Sequence, residues 1–245
     1  MKIKNLYILL IFPLVTQSLQ AQSFGFGCLG LSGIYGGYSI QQFDAAPIED
    51  AIGLYNISRN NMNDGLKFDQ LEGYRIGGNI FRARFSSLFI TTKGYYQFLE
   101  QKQNGFSSEV ASIKKDEYKL SLNHWGLGID IGFPLFSFLD WKILEGGVNF
   151  YDVDFDYESL LEAEGDLKVH YSTDEVTVGY YAGTGLILHI IPDYISVEGT
   201  AFYNFVGLSN FITSDTDRLN LINTGEKLVE GRFGAVVQIN VGFPL

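Results

Sequence analysis

The last thirteen residues of the chain alternate between apolar side chains and mainly small or polar ones. The apolar positions are Phe233, Ala235, Val237, Ile239, Val241, Phe243 and Leu245. A β-strand turns successive side chains to opposite faces, so this segment has one apolar face and one mostly polar face. Such a strand is typical of the wall of a membrane barrel, where one face contacts lipid and the other faces the lumen.

The beginning of the chain predicts an export signal. Two lysines precede an apolar stretch from Leu6 to Val15, and the small residue Ala21 supplies a cleavage position. The stretch is shorter than the roughly 20 apolar residues that cross a bilayer as a helix. We therefore expect a signal peptide over residues 1–21 and a single barrel domain over residues 22–245.

Composition excludes some classes of protein and leaves others open. The formal net charge is −11, so the sequence predicts no basic surface for nucleic acid, and the single cysteine allows no internal disulfide. The 28 glycines, the five prolines and the aromatic content of 15% favour glycine-spaced strands. A soluble exported β-protein would share part of this composition, so composition alone does not decide between the two.

Eight stretches of the chain alternate or nearly do so. We predict strands at about 29–42, 73–85, 89–100, 117–133, 141–157, 168–190, 194–208 and 227–244. The predicted short links are 86–88, 134–140 and 191–193, and the predicted long links are 43–72, 101–116, 158–167 and 209–226. Short and long links alternate, which is typical of barrels with short periplasmic turns and longer extracellular loops. The sequence therefore predicts an all-β fold, an eight-stranded antiparallel transmembrane β-barrel.

Two early strands do not alternate cleanly. The second predicted strand can be placed with Ile76 and Ile80 facing lipid, or with Phe81 and Phe85 facing lipid. The fourth predicted strand changes phase near His124. A β-bulge would reconcile each strand with the barrel, but its position does not follow from the sequence.

Several charged residues fall on the predicted inward face. An eight-stranded barrel is just wide enough to be filled by side chains, and an unpaired buried charge is costly. We therefore expect the inward acids and bases to pair across the lumen and close it. The predicted members of this network are Lys93, Asp130, Glu145, Glu198, Arg232 and, if the second strand takes its second phase, Arg82.

Residues 152–175 carry nine acidic residues and one base, Lys168. If the fifth strand keeps its phase, the aspartates at 152, 154 and 156 form a ladder on the outer surface while the intervening side chains face inward. A solvated, self-repelling segment is the simpler interpretation. Binding of divalent cations to the ladder is the alternative.

Catalytic and cofactor motifs were not found. The three histidines, His124, His170 and His189, have at most a serine nearby in sequence, which is weak support for nucleophilic catalysis. The chain has no Cys-x-x-Cys, His-Glu-x-x-His or EF-hand motif. We therefore expect a protein that is not an enzyme and has no cofactor or resident metal.

Taken together, the alternation, the link lengths and the terminal strand resemble the small OmpA-like or porin-like outer-membrane β-barrels of Gram-negative bacteria. The segment from Phe233 to Leu245 resembles the assembly signal of that family, although its last residue is Leu rather than the usual Phe. The resemblance implies secretion to the periplasm, insertion by the barrel assembly machinery and contact with outer-membrane lipids. It also implies that the lumen network could be a gate, because acids and bases in OmpA-type lumens can exchange partners.

These features specify architecture more than biochemistry. The first functional hypothesis is a non-enzymatic envelope protein that stabilises the membrane or presents acidic surface loops. The alternatives are a narrow channel or conduit for small hydrophobic compounds, and a barrel subunit of a secretion or conjugation apparatus.

Overall fold

A computed structural model gives the fold. It describes residues 21–25, 32–46, 48–50, 66–85, 87–109, 112–160, 167–173, 175–208, 212–213 and 229–242. Nearly all of the expected signal peptide lies outside the described residues, as do Phe243 and Leu245 of the terminal segment.

The described residues form twelve strands. They are β1 (Ala21–Gly25), β2 (Gly33–Asp44), β3 (Gln70–Phe85), β4 (Phe89–Glu109), β5 (Ser112–Phe136), β6 (Leu139–Leu160), β7 (Leu167–Ser172), β8 (Thr177–Ile191), β9 (Ile195–Phe205), β10 (Gly207–Leu208), β11 (Ile212–Thr213) and β12 (Val229–Gly242). No helix among the described residues is long and apolar enough to cross a bilayer.

Eight of these strands close into an antiparallel barrel in the order β2, β3, β4, β5, β6, β8, β9 and β12. The last strand, β12, pairs with both β9 and β2, and β6 pairs with β8. Closure satisfies the backbone groups of every wall strand, so the barrel wall has no open edge. The predicted eight-stranded antiparallel barrel is therefore confirmed.

The two ends of the barrel differ in their connections. At the short-turn end, β3 is joined to β4, β5 to β6, and β8 to β9 by two or three residues. We call the opposite end the long-loop end. The prediction of a loop there over 101–116 is wrong. The β4–β5 hairpin continues there as paired strand up to Glu109 and Ser112. The predicted strand over 168–190 is also divided, into β7 and β8.

A bulge explains the ambiguous phase of the second predicted strand. The pairing of β3 with β4 shifts between Asn79 and Phe81, so Ile76 and Ile80 face outward above the shift. Below it, Arg82 pairs with Thr91, which is buried on the inward face. Both phases that the sequence allows are therefore present, one on each side of the bulge.

The predicted phase change near His124 is wrong. The register of β5 with β4 has no shift, and Tyr118, Leu122, His124 and Asp130 all face inward in one continuous row. The apparent change arises because the chemistry of the interior changes along this row, from apolar side chains to polar ones.

The outer wall between the two ends is apolar. Thirty large hydrophobic side chains of the described residues are exposed, and most of them lie on this part of the wall. Exposed apolar surface of this extent needs an apolar surrounding rather than water. Exposed aromatic residues border the band at the short-turn end, among them Phe133, Trp141 and Tyr194, as an interfacial girdle requires. The fold is therefore a transmembrane β-barrel.

The interior has three layers, which differ in chemistry. Nearest the short-turn end it is charged, and in the middle it is aromatic, with Tyr35, Tyr95, Tyr181 and Phe202 buried together. A Cβ on Gly126 would collide with the Tyr95 ring, so glycine makes room for this layer. Toward the long-loop end lies a hydrophobic cluster that we call the upper core. It contains Phe43, Ala45, Ile48, Phe68, Leu71, Leu99, Tyr118, Leu120, Leu122, Tyr151, Val153, Phe155, Tyr157, Val169, Tyr171 and Val229.

Candidate functional site

Four charged side chains from four strands meet in the lumen. Lys93 of β4, Asp130 of β5, Glu145 of β6 and Glu198 of β9 are each no more than 5% exposed. The cross-strand pairing of Asp130 with Glu145 puts their carboxylates on the same face at the same height. These are four of the six residues that the sequence places in the lumen.

Lys93 lies at the centre of this cluster. Its Nζ is 2.8 Å from Oε1 of Glu145, 3.0 Å from Oδ1 of Asp130 and 3.6 Å from Oε1 of Glu198. One ammonium group therefore contacts three carboxylates, which offsets the electrostatic penalty of burying them.

Lys142 is a member that sequence reasoning missed. It is fully buried, forms ion pairs with Glu145 and Glu198, and donates a hydrogen bond to Oγ1 of Thr200 at 2.6 Å. In a regular strand, residues three apart face opposite sides, so Lys142 and Glu145 would not meet. A shift in the pairing of β6 with β8 between these two residues turns both side chains inward.

Arg75 is the second missed member, because the phase of its strand was ambiguous in the sequence. It is 1% exposed, and its Nη1 lies 3.8 Å from Oε1 of Glu145. Its Nε donates a hydrogen bond to Oε1 of Gln97 at 2.6 Å. The guanidinium also lies 4.2 Å from the centre of the Tyr95 ring. Arg75 thus links the charged layer to the aromatic layer above it.

We call these six residues the lumen network: Arg75, Lys93, Asp130, Lys142, Glu145 and Glu198. It contains three cations and three carboxylates, so its formal charges balance. The three carboxylates approach one another within 4.8 Å, a spacing that could hold a metal ion. Two ammonium groups already lie among these oxygens, and they supply the positive charge that a metal would bring.

Arg82 faces inward but lies outside this network, nearer the short-turn end. A second polar cluster lies in the same region around Asp140, which is 3% exposed. Asp140 contacts Nη2 of Arg84 at 3.4 Å and Nε2 of His189 at 2.8 Å. The lumen is therefore filled below the network as well as above it.

The prediction that Arg232 lies in the lumen is wrong. Its side chain is 53% exposed and forms an ion pair with Asp44 on the outer surface. The pairing of β12 with β2 shifts between Gly231 and Gly234, so Arg232 points outward, although regular alternation would place it inward.

The remaining residues of the proposed assembly signal lie on β12. Phe233, Ala235, Val237, Ile239 and Val241 all face outward, and each is exposed. They therefore form one continuous row of the apolar band on the strand that closes the barrel.

Above the apolar band, the outer wall carries a ladder of charges. On β6 and β7, Nδ1 of His170 lies 2.7 Å from Oδ1 of Asp156, and its Nε2 lies 3.5 Å from Oδ1 of Asp154. One position further up, Lys168 pairs with Glu158 at 3.9 Å. Partial burial, followed by the nearby Asp152 carboxylate, raises the pKa of Asp154 above its usual range. The aspartate ladder predicted on the outer surface is present.

The geometry around the histidines does not favour nucleophilic catalysis. Both ring nitrogens of His170 face carboxylates, so neither is directed at the Ser172 hydroxyl. His124 and Ser121 lie three positions apart on a part of β5 whose pairing has no register shift, so they face opposite sides of the wall.

A recess on the outer wall of β3, β4 and β5 has a volume of about 980 Å³ and lies where the exposed residues change from apolar to charged. Aromatic residues line its lower part, among them Tyr74 and Phe98, and charged residues such as Glu100 and Lys119 line its upper part. Lys119 Nζ lies 3.5 Å from Oε2 of Glu100 across this surface.

These features define a transmembrane β-barrel of the outer-membrane type whose lumen is filled by a balanced ion network, an aromatic layer and an apolar core.

No protein-family model matches the chain, and no curated protein matches it in sequence. Among the solved structures that resemble it in overall form are Ail and Neisserial surface protein A. Ail, the attachment invasion locus protein of Yersinia pestis, was solved with the heparin analogue sucrose octasulfate. It aligns at a TM-score of 0.39 and 9% identity, over 86% of this chain and 96% of Ail. Neisserial surface protein A aligns at a TM-score of 0.40 and 11% identity, over the same shares of the two chains.

Proposed function

We propose that this protein is a non-conducting, non-enzymatic outer-membrane barrel that displays a rigid, charged β-structure above the membrane. The filling of the lumen by side chains at every described level carries this proposal. A pore needs a continuous polar path, and here a paired ion network is followed by aromatic rings and then by hydrocarbon.

The proposed location in the outer membrane follows from the architecture. A bilayer-spanning sheet must close so that its backbone groups are satisfied, and closed barrels of this size are typical of outer membranes. In such barrels the short turns face the periplasm. The long-loop end, with the charged ladder, would therefore face the outside of the cell.

Assembly by the outer-membrane barrel machinery is part of the same proposal. The outward row on β12, from Phe233 to Val241, supplies the apolar alternation that such a signal needs. The same strand pairs with β2 and thereby closes the barrel. Recognition of this strand would thus be coupled to the last step of closure.

Single-channel recording in planar bilayers tests the closed lumen. We expect the purified, folded protein to give no unitary conductance steps in high salt. A variant with Tyr95→Ala and Tyr181→Ala would thin the aromatic layer. It serves as the control that shows whether the recording can detect leakage through a weakened plug. Stable, reproducible conductance steps from the unmodified protein would contradict the proposal.

A gate is the second candidate, and one observation favours it. Glu145 contacts Lys93, Lys142 and Arg75, so its carboxylate already shares three cationic partners that could exchange. Recordings from Glu145→Ala separate the two candidates. Opening steps in that variant would support a gate, whereas a silent trace would support a permanent plug.

A further inference from the structure

The recess on the outer wall of β3, β4 and β5 is lined by three successive outward rungs of the sheet, and we call it the wall recess. The lowest rung pairs Tyr74 of β3 with Phe98 of β4, and the middle rung pairs Glu72 with Glu100. A pair of lysines from β4 and β5 forms the third rung. The chemistry of the wall recess therefore changes from aromatic to anionic to cationic with distance from the apolar band.

The lysine rung presents two like charges side by side. Lys102 and Lys119 are direct cross-strand partners, and both line the wall recess. Directly opposite side chains of a sheet lie about 5 Å apart at Cβ, and like charges in this arrangement repel each other. The two side chains are 50% and 32% exposed, so both are accessible from outside the wall. An anion that binds both lysines would remove this repulsion.

The carboxylates near these lysines leave donors for a further anion. Nζ of Lys119 lies 3.5 Å from Oε2 of Glu100, and Nζ of Lys102 lies 3.9 Å from Oε1 of Glu117. A charge-assisted hydrogen bond from an ammonium group is about 2.7–2.9 Å long, so neither contact is one. Because an ammonium group has three donors, both lysines retain N–H groups for a ligand.

The two lower rungs fit the uncharged part of a sugar headgroup. The Tyr74 and Phe98 side chains are exposed, and their flat faces can cover the C–H groups of a sugar ring. The carboxylates of Glu72 and Glu100 accept hydrogen bonds from hydroxyl and amide groups, and Glu72 already accepts one from the hydroxyl of Tyr38. These carboxylates would repel a phosphate at their own height, so the lysine rung is the level at which a phosphate is favoured.

The position of the wall recess identifies the molecules that surround it. Below the aromatic rung, the outward residues of β3 are Ile76 and Ile80 of the apolar band, so the aromatic rung lies at the membrane interface. The inference rests on the proposed function, in which the long-loop end faces the outside of the cell. There the outer leaflet of an outer membrane presents glycolipids, and the lipid A headgroup is a phosphorylated glucosamine disaccharide.

We propose that the wall recess binds the phosphorylated headgroup of an outer-leaflet glycolipid, that of lipid A. One phosphate lies between the ammonium groups of Lys102 and Lys119 and accepts hydrogen bonds from both. The sugar packs its C–H groups on Tyr74 and Phe98, and its hydroxyl and amide groups donate to the carboxylates of the middle rung. The acyl chains continue along the apolar band. The site distinguishes the wall formed by β3, β4 and β5 from the rest of the lipid-facing surface.

Native mass spectrometry of the full chain in detergent tests the proposal. Delipidated protein is titrated with lipid A that carries two phosphates, with the same lipid A lacking both phosphates, and with phosphatidylglycerol. We expect about tenfold stronger retention of the phosphorylated lipid A than of either other lipid. The dephosphorylated form has no anion for the lysines, and phosphatidylglycerol has no sugar for the lower rungs. Retention of either one as strong as that of phosphorylated lipid A would overturn the proposal.

Substitutions of the lysine rung locate the site. Lys102→Gln combined with Lys119→Gln should remove most of the preference for phosphorylated lipid A, whereas Lys102→Arg combined with Lys119→Arg keeps both charges and should retain it. Lys168→Gln is the matched control, because Lys168 is also an exposed lysine with a carboxylate at 3.9 Å but lies outside the wall recess. Loss of the preference in the control, or its persistence without the two lysines, would contradict the assignment. The heat-dependent gel-mobility shift of each variant confirms that it is folded.

Inorganic phosphate distinguishes a glycolipid site from a site for free anions. At a concentration matched to the lipid, it should displace little of the bound lipid A, since it has neither a sugar nor acyl chains. Complete displacement would overturn the glycolipid assignment. These measurements do not depend on conductance. A silent barrel without the lipid preference would disprove the site alone, and a conducting barrel that keeps the preference would disprove the closed lumen alone.

Discussion

The two halves of this barrel are built with opposite polarity. In the half that crosses the membrane, the inner surface carries Lys93 and Glu145 while the outer surface carries Leu127 and Ile129. In the half toward the long-loop end, the inner surface is the upper core and the outer surface carries charged pairs such as Glu158 with Lys168. β4 and β5 pass through both halves without a shift in their mutual pairing.

The inversion follows from the solvent on each side of the wall. Within the bilayer, lipid accepts apolar side chains, so the narrow lumen receives the polar ones and they must satisfy one another. Above the bilayer, water surrounds the wall, and burying hydrocarbon in the lumen becomes favourable. The side chains that face the lumen are therefore polar within the bilayer and apolar above it. Four substitutions test this difference.

The largest expected effect comes from breaking the charge balance in the membrane half. Glu145→Ala leaves three buried cations facing two carboxylates, and we expect a loss of about 3–5 kcal/mol in the free energy of unfolding. Urea titration in detergent or lipid vesicles measures this loss. Glu158→Gln, which removes an exposed carboxylate of the same strand, should change the value by less than about 1 kcal/mol. Similar losses for both variants would contradict a buried network.

The next effect should come from the upper core. Leu122→Ala removes a fully buried side chain, and we expect a loss of about 2–4 kcal/mol together with faster proteolysis of the long-loop end. Leu127→Ala changes the same residue type on the same strand, but its side chain faces lipid, so its effect on proteolysis should be smaller. Equal protease sensitivity of the two variants would argue against a packed core above the membrane.

A lysine placed on the outer wall should have different effects on stability in the two halves of the barrel. Val237→Lys puts an ammonium group on the apolar band and should destabilise the folded barrel by about 2 kcal/mol. Ser172→Lys puts the same group on the outer wall of the upper half, where surface substitutions change stability by about 0.5 kcal/mol or less. The free energies of unfolding in vesicles provide the comparison, and a tolerated lysine at position 237 would contradict the membrane position of β12.

The smallest effect is a pH dependence on the charged ladder. The pKa of Asp154 is raised in the folded state, so its unfavourable contribution is absent at low pH and develops as the pH rises through the raised value. Asp154→Asn should therefore stabilise the protein by less than about 1 kcal/mol at neutral pH. At pH values below the ordinary Asp pKa of about 3.9 it should have no effect. A stabilisation that persists in acid would show that ionisation of the Asp154 carboxylate is not its cause.

Much of the fold could be predicted from the sequence, because the two-residue period is a local property. It gave the eight wall strands, the outward row on β12 and the inward positions of Asp130 and Glu198. The predicted loop at 101–116 was wrong because polar residues in water-exposed strands and in loops look alike in one sequence. Cross-strand pairing between β4 and β5 decides between them.

The sequence by itself determined that the chain alternates, that its wall has one apolar face and that Asp130, Glu145 and Glu198 face the lumen. Only the tertiary structure decided where alternation breaks. The bulges that bring Lys142 beside Glu145 and turn Arg232 outward depend on how neighbouring strands register when the barrel closes. A register shift depends on both of the paired strands, and the alternation along one strand does not locate it.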